Sequence, residues 1–184
     1  MLALTITGIL ACGIALWAIA LYNGLVRKRN MVEEAWSGID VQLKRRTDLI
    51  PNLVSTVKGY ATHEQSTLEE VVQLRGQAQN TQGVAETAQA QGLLGAALGR
   101  LFALAESYPD LKANTTFIQL QRTLEEIEEQ IQLARRYYNG AVRNLNIAVE
   151  SFPSNLIASR FGFSKAEFFE LESTDERIVP KVTF

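Results

Sequence analysis

The feature that most constrains this chain is its first stretch, LALTITGILACGIALWAIALYNGLV, which carries no charged side chain from Leu2 to Val26. A run of that length can cross a bilayer as a helix, because a helix satisfies its own backbone polar groups where no water is present. Trp17 and Tyr22 fall toward its far end, where aromatic rings favour the headgroup layer. Arg27, Lys28 and Arg29 follow at once, and only the α-amino group stands before the run. The positive-inside bias then places the N-terminus outside and everything after Arg27 in the cytoplasm. A cleaved signal peptide would want a basic leader, a shorter apolar stretch and a small-residue cleavage site, none of which is present. A lipoprotein site at ILAC fits no better, since the apolar run continues for fourteen residues beyond Cys12.

At 184 residues the chain suits one domain plus an anchor and can bury a real core. Its net charge of −2, with both signs mixed, provides no basic field for nucleic acid, which is excluded as a partner. Ala, Leu, Gln, Glu and Arg abound, and the prolines are Pro51, Pro109, Pro153 and Pro180. That composition favours helix. The expected fold is all-α: an N-terminal transmembrane helix continuing into an antiparallel bundle of long helices. Its expected divisions are a transmembrane anchor over 1–26, a cytoplasmic bundle over 27–172 and a flexible C-terminal tail over 173–184.

Periodicity supports the bundle. Apolar residues recur at Phe117, Leu120, Leu124, Ile127, Ile131, Ala134, Tyr138, Ala141, Leu145, Ala148 and Phe152. Their steps of three and four are those of a coiled-coil-like seam that packs along neighbouring helices. Asn114, Thr115 and Thr116 offer N-cap oxygens, Pro153 ends the helix, and Glu125, Glu126, Glu128 and Glu129 form a solvated face. A middle helix is expected over 84–108, with Leu94, Leu98, Leu101, Ala105 and Tyr108 on one side. Its part GLLGAALGRLFALA (92–105) is apolar nearly all round, and glycines 92, 95 and 99 should let a neighbouring helix approach closely. It reads as a buried hairpin helix; the alternative is a surface meeting lipid or another subunit.

The first soluble segment carries the stripe Val32, Trp36, Ile39, Leu43, Ile50, Leu53, Val57 and Tyr60, interrupted by Arg46. It either runs on through Leu74 or restarts near 61–66, where Thr62 with Gln65 and Ser66 with Glu69 have capping-box spacing. Connectors are expected at GQAQNTQG (76–83) and YPDLKAN (108–114), and further short helix at Ser154–Arg160 and Lys165–Glu172, around the FGF turn (161–163). Within DVQLKRRTDLIPNLV (40–54), Pro51 lacks an N–H and so removes the bond to the carbonyl of Thr47. Pro51 is read as a hinge that keeps the helix going; the alternative is a new helix capped by Asp48. Asp40, Lys44 and Asp48, at i, i+4 spacing, can pair along one face.

Reactive chemistry is sparse. HEQST (63–67) is not the HExxH zinc motif, and His63 is the sole histidine. Cys12 lies inside the apolar run. Phosphate-loop, dinucleotide and nucleophile-elbow motifs are absent, and adjacent carboxylates such as Glu33/Glu34 diverge on a helix. No enzymatic activity, cofactor or metal is expected.

YNGLVRKRNMVEEAWSGIDVQLKRRTDLIPNLVSTVKGYATHE (22–64) resembles the signature half of the LemA family. YPDLKANTTFIQLQRTLEEIEEQIQLARRYYNGAVRNLNIAVESFP (108–153), FGF (161–163) and FFE (168–170) agree with its second half. The resemblance implies a bacterial membrane protein with one N-terminal span and a cytoplasmic helical bundle. Some members are linked to forming or shaping internal membranes, and others lie beside membrane metalloproteases or envelope-stress proteins. The family supplies no active-site residue to carry over. A departure is Gly140, which should loosen its helix.

The expected function is a membrane-anchored, non-catalytic scaffold that self-associates in the bacterial inner membrane and organises or shapes it. The alternative is an adaptor or regulator of a membrane protease or envelope-stress partner. Expected partners are the lipid bilayer, further copies of the chain, or a second membrane protein. Arg27, Lys28 and Arg29 should flank the membrane; Trp36, Leu43, Ile50, Leu53, Leu120, Leu124, Ile127, Ile131 and Leu145 should form the packing or oligomer seam. Moving the three cations to the N-terminus should disturb or invert the topology, read by two reporter fusions active on opposite sides of the membrane.

Overall fold

The computed structural model of the chain describes residues 1–61 and 63–170, and the expected tail over 173–184 lies outside them. Among the described residues the regular elements are all helices: α1 (Leu2–Lys58), α2 (Gln65–Gln79), α3 (Val84–Ala105), α4 (Pro109–Lys112), α5 (Thr115–Glu150) and α6 (Ser154–Arg160). The all-α reading stands. The chain divides into two compact units. The first joins Met1–Ile39 to Ala134–Phe168; the second comprises Asp40–Leu133, with Phe169 and Glu170 as its remaining described residues.

In the second unit the distal part of α1 supplies Ile50, Leu53 and Val57 to the core. Leu68 and Val71 come from α2, Leu94, Leu98 and Leu101 from α3, and Phe117 and Leu124 from α5. Here α1 and α5 run antiparallel, since Arg46 reaches Glu128 while Tyr60, beyond the end of α1, reaches Asn114. Asn114 caps α5 as its side chain suggests, its Oδ1 accepting from the Phe117 N–H at 3.0 Å.

The first soluble segment does not run on into α2. It ends at Lys58, just before Gly59, and the chain restarts at Gln65. Of the two expected capping boxes, that of Thr62 lies outside the described residues, and Ser66 falls inside α2; Glu64 occupies the N-cap without a side-chain cap bond, and its carboxylate accepts from the Tyr108 hydroxyl at 3.2 Å. The middle helix stops at Ala105, short of Tyr108, and the second connector contains the one-turn helix α4. The first connector is shorter than expected, because α2 reaches Gln79 and Gly83, at φ +87°, starts α3.

Close approach at Gly95 and Gly99 of α3 is not seen. A Cβ at Gly99 would meet nothing within 4 Å, and one at Gly95 would lie 3.9 Å from Arg46 Nη1, an ordinary contact. What faces the core is instead Leu94, Ala97, Leu98, Leu101 and Ala105, all buried, while Leu93 stays exposed.

In the first unit Leu25, Ala158 and Phe163 form a small core, packed by Val26, Ala148, Val149 and Ile157. Farther along α1, the Trp36 ring lies 5.5 Å from that of Tyr138 on α5. The antiparallel sense recurs, since Leu25 shares a cluster with Ala148 and Val149 while Trp36 lies beside Tyr138.

The expected helix at Lys165–Glu172 is absent over its described part, Lys165–Glu170. Side chains of α5 have taken the backbone groups that a helix would use. Asn146 accepts from the Ala166 N–H at 2.9 Å and donates to the Ala166 carbonyl at 3.0 Å. The Tyr138 hydroxyl donates to the Glu167 carbonyl at 2.9 Å. Burial, with Glu167 nearby, pushes the Tyr138 phenol above its ordinary pKa, so it remains a donor at neutral pH.

Gly140 lies inside α5, where a Cβ would meet nothing within 4 Å. Gly140→Ala should therefore stabilise the protein by about 1 kcal/mol, seen as a higher urea midpoint in mild detergent.

Candidate functional site

The chain leads a long apolar helix directly into a folded unit, and the junction is the first candidate site. α1 has the length and composition to cross a membrane, and none of its apolar window is buried by the protein. Leu2, Leu4, Ile9, Leu10, Ile14 and Leu16 are all largely exposed. Burial begins at Leu25, which is 1% exposed.

The partner of this turn is the end of α6. The Phe161 N–H still bonds the Ile157 carbonyl, then Gly162 turns left-handed at φ +73°. The Phe163 N–H closes back on the Ala158 carbonyl at 3.0 Å, the six-to-one bond of a Schellman cap. The FGF sequence thus places two rings around one, with Tyr22 edge-on to Phe161 at 5.0 Å and to Phe163 at 5.7 Å.

The three flanking cations do not behave alike. The Arg29 guanidinium lies 5.4 Å from the Phe163 ring centroid and 3.8 Å from the Glu33 carboxylate. Lys28 is half-buried, and Arg27 is exposed. Only part of the cationic cluster therefore faces outward freely.

A second constellation sits in the second unit. Arg46, the charge that interrupts the apolar stripe, is buried to 5% exposure. Its Nη1 donates to Glu128 Oε2 at 2.8 Å, and its Nη2 donates to the Gln91 carbonyl at 2.9 Å and to Gln91 Oε1. Burial lowers the guanidinium's pKa and Glu128 opposes that shift, so the side chain stays cationic at neutral pH. Glu128 is accordingly no mere member of a solvated face. Arg46 Nε, also closed off from water, has no hydrogen-bond partner among the described residues.

The next turn carries the proline. α1 passes through Pro51 and does not restart at Asp48, which pairs with Lys44 at 3.5 Å. The carbonyl of Thr47, left without its helical donor by Pro51, accepts instead from Arg75 Nε of α2 at 2.8 Å. Arg75, Gln91 and Glu128 are the residues that sequence reasoning missed. The available signals were a charge inside an apolar stripe and a carbonyl orphaned four residues before a proline. Each demands a partner without saying which.

Of the expected seam, Leu43, Ile50, Leu53, Leu124, Ile127, Ile131 and Leu145 are buried within the single chain. Leu120 packs half-buried on the core of the second unit, and Trp36 is half-buried with its ring against Tyr138. On α5 the large apolar side chains left exposed include Leu133, Tyr137 and Ile147. Neither constellation brings a nucleophile to a base. His63 is exposed, and among the described residues no group of acidic, histidine or cysteine side chains could hold a metal.

The family-wide sequence profile described as the LemA family matches residues 35–184. Magnetosome proteins MamQ 1 and MamQ 2 of Paramagnetospirillum magneticum are each 29% identical to this chain, over 81% of it and 64% of their own length. Protein LemA of Metamycoplasma hominis is also 29% identical, over 83% of this chain and 72% of its own length. The chain thus spans just under two thirds of the two magnetosome relatives.

If the Thr47 carbonyl depends on Arg75, the two residues 51 and 75 must be energetically coupled. Arg75→Met should cost about 1–3 kcal/mol with Pro51 in place, because a buried acceptor loses its donor. With Pro51→Ala, which restores an N–H to that carbonyl, the same change should cost about 0.5 kcal/mol or less. Denaturant unfolding of the four proteins in detergent measures the difference, and equal costs in both backgrounds would refute the coupling.

Proposed function

Because the chain belongs to the LemA family, we propose that it is a membrane-anchored, non-catalytic helical scaffold that associates with copies of itself to organise or shape the membrane. One observation carries the reading. A single helix, α1, is wholly exposed along its apolar window and buried farther on, where it supplies core residues to the folded chain. A bundle built on its own anchor cannot leave the membrane without unfolding. Residues 1–26 are the proposed anchor and 27–172 the proposed bundle. Arg27, Lys28 and Arg29 set the proposed orientation, with the N-terminus outside the bacterial inner membrane and the bundle in the cytoplasm.

Self-association needs a surface, and burial of the periodic seam inside one chain moves that role elsewhere. Leu133, Tyr137 and Ile147 on α5 are exposed and fall close to helical spacing, which supports α5 as the contact between copies. Two relatives named magnetosome proteins are compatible with a role in organising membrane.

The adaptor reading has its own observation, an open groove at the end of α1 and the side of α2. Val54, Lys58, Leu68, Glu69 and Val72 line it, mixing apolar floor with both charge signs. A membrane protease or an envelope-stress partner would be held there in place of a second copy.

Purified protein in mild detergent should form oligomers by light scattering, and Tyr137→Glu should shift them toward monomer without loss of helicity. A monomer at every concentration tested would overturn self-association.

A further inference from the structure

We infer that α6 and the turns on either side of it form a second membrane contact, in which Phe152, Leu156 and Phe161 enter the headgroup layer of the bilayer that α1 crosses. The inference rests on the membrane-anchor reading above.

Depth is the first argument. The inner face of α6, Ala158 and Ile157, packs on Leu25 and Val26, the last two residues of the uncharged run. Phe161 reaches farther still, to Tyr22, about one helical turn inside that run. α6 is therefore pinned to the level at which the apolar surface of α1 gives way to charge. A side chain pointing outward at that level meets the boundary between acyl chains and headgroups.

Large apolar side chains point outward there, beside Ser159 and Arg160. Phe152 is 79% exposed, and Leu156 and Phe161 are each 59% exposed. Leu156 is exposed while its neighbours Ile157 and Ala158 are turned inward, so α6 has one protein-facing side and one free side, and Phe152 is exposed in the turn before it. Aromatic and leucine side chains beside basic ones are the composition of an interfacial segment, which beds its apolar face about 5–10 Å into the boundary layer.

Charge selects lipid over a second copy. Arg160 at the end of α6 and Arg27 on α1 are both exposed, and the nearby Glu150 is paired with Lys165 at 2.7 Å. A second copy docking by the same face would set these cations against their own counterparts. Anionic headgroups neutralise them. The apolar patch is also continuous with the exposed surface of the span through Tyr22, so one phase covers both. Held at two points, α1 cannot rotate freely about its own axis, and the orientation of the first unit on the membrane is set.

The test uses the full chain with Cys12→Ser, carrying one new cysteine at a time labelled with an environment-sensitive fluorophore. The labelled proteins are reconstituted in vesicles of phosphatidylcholine and phosphatidylglycerol. Ile6→Cys reports the span, Gly38→Cys reports an exposed site on α1 beyond the cations that follow the run, and Leu156→Cys and Phe152→Cys report α6 and the turn before it. A nitroxide on the lipid chains should quench the labels at 6, 152 and 156 severalfold more than the label at 38, and aqueous iodide should show the reverse order. Lipid quenching at 6 with iodide quenching at both 152 and 156 would overturn the inference and leave the anchor standing. Iodide quenching at 6 would overturn the anchor reading and this inference with it. Using two separate positions, one on α6 and one in the turn before it, guards against a label at one of them unseating the helix.

Discussion

The second unit depends on one turn of α1, Arg46 to Ile50, in which a buried charge and an orphaned carbonyl lie side by side. A guanidinium shut off from water is costly unless its protons are taken, and a carbonyl without a donor carries a similar penalty. Both are answered from outside α1: Gln91 and Glu128 accept from the terminal nitrogens of Arg46, leaving Nε without a partner among the described residues, and Arg75 donates to Thr47. α2, α3 and α5 are thereby held to the same turn by directional contacts, around which Ile50, Leu53, Leu94 and Leu98 fill space. Hydrophobic burial supplies most of the drive for such a bundle, but it is tolerant of sliding; hydrogen bonds of fixed length are not. The polar node therefore specifies register, and the apolar core supplies stability.

That arrangement bears on function through the helix that carries it. α1 contributes its first half to an exposed apolar surface and its second half to the core of the folded chain. Both parts belong to one continuous helix, Leu2–Lys58. Where the uncharged run ends, polar and aromatic groups again hold the backbone in place. Gly162 reverses the chain so that Phe161 and Phe163 close on Tyr22, and Arg29 lies over Phe163.

Local patterns are legible in the residues themselves. The span, the long seam of α5, the cap at Asn114 and the FGF turn each follow from residues within a few positions of one another. Other features mislead for a common reason. Lys165–Glu170 has neighbours that suggest helix, yet Asn146 and Tyr138, far back in the chain, take its backbone groups. Gly95 and Gly99 of α3 suggest a close helix crossing, but there is open space around Gly99 and only an arginine tip near Gly95. The seam itself is visible, but periodicity reports only that a face is covered, not whether the cover belongs to the same chain.

The sequence by itself determined that this protein is helical, that its first stretch suits lipid, and that a proline and a buried-stripe arginine would need partners. Those conclusions come from hydrophobic periodicity, the missing N–H of proline and the cost of burying charge, all of which act locally. Only the tertiary structure decided that Arg75, Gln91 and Glu128 are those partners, and that α6 returns to the turn where the apolar run ends. The reason is physical: a donor and an acceptor separated by 28, 45 or 82 residues leave no mark on each other's local pattern. They are chosen by the three-dimensional course of the chain, which brings them within about 3 Å.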